Sequence, residues 1–341
     1  MKNYYLVTTP IHYLHALEAR NEELFHAHEH HLILLTDYHK SISQLEKIVD
    51  KKQWNTISKP FQSYDRNTLN FFQKVKMILF RKDYFKTFTN NIEKEDRVFW
   101  GNINTHWFAY VTNRLKCNQF IALEDGMNTI SILNTLDNNN FKFDYSSRMA
   151  KIERLVLRDP KLNPERILFY TVYPKLNTKQ KCQLHKFDNL RSKIAKVNTE
   201  DSVYFVAQPL VFHKFMALED YHFLINELKE YYEKLGYQFY YIPHRSTTTD
   251  YLDAKWNIKT INYPIELLPY FENRIPSIFS SFYSSAIINL SLTLKDQNVK
   301  FEFHDISEYL VSHQCMRINE IMQQMETWNI PNLKITKFGK R

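Results

Sequence analysis

The chain has 341 residues, a net charge of +8 and a composition that is 44% hydrophobic and 15% aromatic, enough for about two cores built largely on Tyr and Phe. No apolar run approaches the ~20 residues that span a bilayer. Three cysteines, at 117, 182 and 315, are too scattered for a disulfide framework or a cysteine-held metal. These features exclude a membrane-spanning helix and a disulfide scaffold.

The scattered cysteines fit a reducing cytoplasm, and the opening residues Met1-Lys2-Asn3-Tyr4-Tyr5-Leu6-Val7 lack the apolar core and cleavage site of a signal peptide. Residues 4–8 read as a strand, and Thr9-Pro10 turns the chain into a helical pattern over 11–25. A strand over 32–36, a short helix over 41–49, a strand over 54–58 and a helix over 71–81 follow. Lys74 to Lys82 mixes basic and apolar residues, as an interfacial helix does, and equally suits a helix with its apolar face inward. Strands over 97–101 and 119–123 flank a helix over 106–115. Residues 137–200 are rich in Asn, Lys and Asp with weak periodicity, and a boundary is expected between 185 and 200. Beyond it, strands are expected over 202–207, 238–242, 258–261, 277–280 and 301–304. Helices are expected over 221–235, from 264, over 284–292 and over 318–327, with Gly236 as a C-terminal stop. This alternation implies α/β architecture: two doubly wound parallel domains, 1–190 and 191–341, facing a central cleft.

Ile121-Ala122-Leu123-Glu124-Asp125-Gly126 ends one such strand in two carboxylates and one of only four glycines. Alone, Asp125 reads as a helix cap or as a general base at a strand's carboxyl end. Four further features stand at predicted strand ends: Gln208-Pro209, Pro243-His244-Arg245, Pro264-Ile265-Glu266 and Ser284-Ser285. Paired serines opening a helix suit a phosphate, although one serves as well as a plain cap. Glu266 suits ribose hydroxyls or a helix's first turn. His244 suits a phosphate leaving group or a structural role. No glycine-rich diphosphate loop is present, so a nucleoside monophosphate sugar fits better than a diphosphate. No convincing metal site is seen, and the run His26 to His31 leads into the second strand. Nucleic-acid motifs are lacking.

In the order and spacing of these motifs, the sequence resembles the bacterial sialyltransferases, most closely glycosyltransferase family 52. Leu6 to Pro10 and Gln208-Pro209 support the likeness. The resemblance implies a GT-B fold of two Rossmann-like domains. It implies inverting, metal-independent transfer of a sialic or other nonulosonic acid from its CMP-activated donor to a lipooligosaccharide or capsule glycan, with no cofactor. Asp125 then resembles the general base and His244 the group supporting the leaving phosphate. Glu266 resembles the ribose ligand, and Ser284 and Ser285 the phosphate ligands. Gln208 and Pro243 join the donor side, and so does Arg245, because here Pro243 precedes the histidine where the wider group has Pro after it. Glu124, Gly126, Thr9, Pro10 and His12 are candidates for the acceptor side. The partners implied are the CMP-sugar, a glycan or glycolipid acceptor and, through basic residues, a membrane surface at the cell's inner face. A transferase using UDP-glucose or another nucleotide sugar, and a non-enzymatic basic protein that binds glycans or membranes, stay open as alternatives.

Overall fold

A computed structural model describes residues 1–36, 39–61, 69–117, 119–144, 146–174, 176–244, 251–311, 322–330 and 332–337. The chain divides into two compact units, one of Met1–Val172 with Asn177–His185, the other of Tyr173–Leu176 with Lys186–Arg341.

The first unit runs β1 (Lys2–Val7), α1 (Pro10–Asn21), β2 (Glu29–Leu34), α2 (His39–Ile48), β3 (Thr56–Ser58), α3 (Phe71–Asn90), β4 (Arg97–Trp100), α4 (His106–Arg114), β5 (Gln119–Leu123), α5 (Met127–Asp137), α6 (Arg148–Leu157), β6 (Ile167–Thr171) and β7 (Lys181–Leu184). Its seven strands lie in the order β3-β2-β1-β4-β5-β6-β7, and every pairing is parallel. The second unit runs α7 (Asp188–Ser192), β8 (Asn198–Val206), α8 (Leu218–Lys234), β9 (Gln238–Ile242), α9 (Leu268–Phe271), β10 (Arg274–Ser281), α10 (Ser285–Thr293), β11 (Lys300–Asp305) and β12 (Leu333–Lys337). Its sheet is β12-β11-β10-β8-β9, again all parallel. Two successive parallel α/β units are the organisation of a GT-B glycosyltransferase.

Parallel strands covered on both faces need continuous apolar runs, and β5 (QFIAL) and β8 (its VYFV end) supply them. The cores are aromatic: the largest fully buried side chains are all Tyr or Phe, with Tyr5 stacked on Phe99 at 4.4 Å. Helix ends follow their local chemistry. Asn70 and Gln73 form a reciprocal capping box at the start of α3, and Gly236 at φ 87° follows α8.

Three expectations differ from the structure. Residues 258–261 form no strand; Ile258 makes a single bridge to Tyr241. The polar stretch 137–200 contains α6, β6, β7 and α7. Residues 333–337, for which the sequence suggests no element, form the edge strand β12. Of the helix expected over 318–327, residues 318–321 lie outside the described residues, and 322–326 are helical. Among the described residues no helix is long and apolar enough to cross a membrane.

Candidate active site

In both sheets the chain starts at a central strand, builds outward on one side, then returns to build the other side. The crevice at such a reversal lies at the carboxyl edge, between β1 and β4 in the first sheet and between β8 and β10 in the second.

At the first reversal, β1 ends at Val7 and α1 begins at Pro10, whose ring fixes the first helical φ. This places His12 in the first turn of α1, completely buried. Its Nε2 lies 2.9 Å from Asp125 Oδ1 and its Nδ1 2.7 Å from Thr8 Oγ1. An ionised carboxylate only accepts, so Nε2 carries the hydrogen; in the neutral ring Nδ1 accepts from the Thr8 hydroxyl. Gly101 follows β4 and lies against the imidazole so closely that an added Cβ would overlap the ring. Glycine at 101 is therefore a requirement of the histidine's position.

Asp125 follows β5. Asn128 Nδ2 donates to its Oδ2 at 3.1 Å, and Asn104 Nδ2 donates to Asn128 Oδ1 at 3.2 Å. Its own N–H donates to Thr129 Oγ1 at 3.0 Å. The N-cap position of α5 belongs to Gly126, at φ 68° and ψ −152°, a region essentially reserved for glycine. Asp125 thus precedes the helix with its carboxylate turned to His12 and Asn128, and the side chain remains 21% exposed. Two helix N-termini, those of α1 and α5, lie at this edge and favour negative charge there.

Glu124 points the other way. It is 1% exposed, and its Oε2 accepts from the Thr171 hydroxyl at the end of β6. Burial pushes its carboxyl up to about 8, against the hydrogen bonds from Thr129 and Thr171. Its Oε1 has no hydrogen-bond partner among the described residues. The two neighbouring carboxylates therefore live in different media, one at the surface and one in the core. Thr9 is the N-cap of α1, and its hydroxyl is buried without a hydrogen-bond partner among the described residues.

In the second unit, Gln208, two residues past β8, accepts at Oε1 from the Tyr283 N–H at 3.0 Å. This bond bridges the loops after β8 and β10 at the reversal. Ser281 Oγ donates to Val206 O at 2.7 Å and ties the same two strand ends. Ser284 caps α10, its Oγ accepting from Ala286 N at 3.4 Å, and Ser285 is the first helical residue. Glu266, in the turn before α9, is buried and accepts from Asn289 Nδ2 of α10 at 3.2 Å. Pro243 and His244 follow β9, partly exposed, on the side of β8 away from β10. β8 lies between the strand that leads to His244 and the strand that leads to α10. Arg245 lies outside the described residues.

The structure brings His12 and Asp125 into contact, gathers Gln208, Ser284, Ser285 and Glu266 around α10, and sets Glu124 aside in the core. Sequence reasoning missed Gly101, Asn128, Asn104 and Thr8. The scarcity of glycine was the one available signal, and it marked 101 as well as 126.

The fold is similar to the crystal structure of Arabidopsis thaliana UGT89C1 complexed with UDP-L-rhamnose, with a TM-score of 0.48 and 9% identity over 95% of this chain and 83% of that one. No curated protein sequence matches the chain. The model of glycosyltransferase family 52 matches residues 29–305, well over half of the chain. With parallel α/β units whose carboxyl edges hold these polar groups, the chain belongs to glycosyltransferase family 52 and is a glycosyltransferase.

Proposed function

We propose that the chain transfers a sialic acid or a related nonulosonic acid from its CMP-activated donor to a hydroxyl of a surface glycan, lipooligosaccharide or capsule, with inversion and without a metal. The observation that carries this reading is the His12–Asp125–Asn128 arrangement. It presents a carboxylate at a strand's carboxyl end, held at both oxygens by side-chain donors and still open to solvent.

In the proposed reaction the acceptor hydroxyl attacks the donor's anomeric carbon from the face opposite CMP. The bond from that carbon to the phosphate oxygen breaks with its electron pair going to CMP. The hydroxyl proton passes to Asp125. The anomeric carbon carries a carboxylate and has oxocarbenium character in the transition state, so charge on the departing phosphate dominates the barrier. The α10 N-terminus with Ser284 and Ser285 supplies donors to that phosphate. His244, and Arg245 beside it in sequence, supply hydrogen bonds or positive charge at the same group. Glu266, already accepting from Asn289, takes the ribose hydroxyls. Gln208 and Pro243 shape the nucleotide's bed. His12 acts as a positioning residue: buried and bonded at both nitrogens, it fixes the direction of the carboxylate.

The test is transfer from CMP-N-acetylneuraminic acid to a soluble galactoside. Asp125→Ala lowers the rate by at least about 10²-fold, while CMP still raises the melting temperature. Near-normal transfer by this variant removes Asp125 as the base. Stabilisation by UDP in place of CMP removes the proposed donor.

A further inference from the structure

Two helices of the first unit carry a surface that the transfer chemistry leaves unused. α3 and α6 pack against each other, yet their outer sides leave large apolar side chains in water. Phe72 is 80% exposed and Leu155 78%, and Leu79 and Phe80 are about half exposed. Isolated exposed apolar residues need no explanation, but a group of them on adjoining helices does. On α3, Phe72, Lys76, Leu79 and Phe80 recur at helical spacing on one side, while Met77, Ile78 and Phe85 are buried on the other. On α6, Arg148, Lys151 and Leu155 form a second row. The helices meet where the Arg148 guanidinium covers the Phe71 ring at 4.3 Å.

The charges on these helices are one-sided. α3 holds five basic residues and one acid, and α6 holds three and one. Helices of 20 and 10 residues thus hold most of the chain's net charge of +8. The acid of α6, Glu153, turns inward to His106 at 3.8 Å, and Arg154 pairs with Asp159 at 2.8 Å. Lys76, Arg148 and Lys151 stay among the exposed apolar groups.

We infer that the α3–α6 face docks on an anionic lipid bilayer, with Phe72, Leu79, Phe80 and Leu155 entering the headgroup boundary and Lys76, Arg148 and Lys151 meeting lipid phosphates. Charge complementarity selects this occupant. A two-fold contact between copies would set the same basic rows against each other, whereas an anionic bilayer neutralises them. Resting on the proposed function, the inference identifies the acceptor as a lipid-anchored glycan, because docking retains the enzyme where such acceptors lie.

The test is co-sedimentation of the full chain with phosphatidylglycerol–phosphatidylcholine vesicles and with phosphatidylcholine vesicles. The protein is expected to pellet with the first and not with the second, and to be released by high salt. Lys76→Glu with Lys151→Glu lowers partition about fivefold or more per reversed charge. Phe72→Ser with Leu155→Ser lowers it comparably without changing the salt dependence. Both variants keep the wild-type rate on a soluble galactoside and lose it selectively on the same galactoside carried by a vesicle-embedded lipid. Equal binding to neutral vesicles, unchanged partition of both variants, or a dimer dissolved by Phe72→Ser with Leu155→Ser would overturn the inference. The proposed function fails separately, through absence of transfer to the soluble acceptor.

Discussion

The carboxyl edges of the two sheets hold their polar groups in different ways. At the first edge side chains hold side chains: Thr8, His12, Asp125, Asn128 and Asn104 form one run of hydrogen bonds. At the second edge side chains mainly hold backbone: Gln208 accepts from the Tyr283 N–H, Ser284 from the Ala286 N–H, and Ser281 donates to the Val206 carbonyl. A side-chain run fixes the direction of one carboxylate. A tie to backbone fixes the course of a loop and leaves a surface of peptide groups for a ligand. Damage at the first edge should therefore appear in the rate of transfer alone, and damage at the second in affinity for the nucleotide as well.

After loss of Asp125 itself, the largest expected effect comes from Gly101→Ala. The new Cβ must displace His12, and with it the carboxylate; a misplacement on the order of 1 Å can cost about 10²-fold. kcat should fall by about 10- to 100-fold with the CMP-induced thermal shift retained. His12→Phe should fall similarly, and His12→Gln, which restores a donor, should recover part of the loss. An equal fall in His12→Gln and His12→Phe would mean that the ring only fills space.

Replacing Ser284 and Ser285 together with Ala should raise the KM for the CMP-sugar about tenfold, as expected for lost hydrogen bonds to a charged group, and lower kcat as well, because the same donors meet the charge that builds on the departing phosphate. A pure kcat effect would merge the two edges into one functional class.

The last effect is on stability rather than on transfer. The Glu124 carboxyl is raised from 4.5 in the unfolded chain to about 8 in the fold. Between those values the folded state keeps a proton that the unfolded state has released. The stability contributed by Glu124 is therefore lost as pH rises through this window, by up to about 1.4 kcal/mol per pH unit, and the loss is complete above pH 8. Glu124→Gln, neutral throughout, should be flat in this respect, so its advantage over the parent grows from pH 5 to 8. Buried His185 and His304, both pushed down from 6.5 to about 3, give an opposite slope that overlaps the lower part of this window, but it is common to both proteins. Parallel urea-denaturation curves over the window would show that Glu124 is ionised in the fold.

Much of the architecture was legible because strands buried on both faces must be apolar runs, and residues 119–123, 202–207 and 238–242 are such runs. The misreadings have the same origin. Ile258 to Ile261 has a strand's residue types but pairs only once, so the sheet edge lies short of it. β7 and β12 are edge strands with one solvated side, so their polar residues hid them in the Lys- and Asn-rich segments. Within the candidate site, the turn at Glu124-Asp125-Gly126 was legible because it is local. The seat of His12 on Gly101 was not, since it joins residues 89 positions apart through packing alone. Asn128 stood three residues from Asp125, but an asparagine in a helix's first turn has many roles.

The path of the chain between the units has a practical consequence. Residues 173–176 belong to the second unit although 177–185 return to the first. Tyr173 packs its ring against Trp328 at 5.0 Å, while β7, a few residues later, pairs with β6. Covalently, the units are joined at three places, so no single cut yields both intact. A fragment ending at 172 loses the β7 edge, and one ending at 185 keeps Tyr173 without its aromatic partner. Chimaeras that exchange the second unit between related chains must therefore exchange 173–176 together with the segment from 186 onward, leaving 177–185 behind.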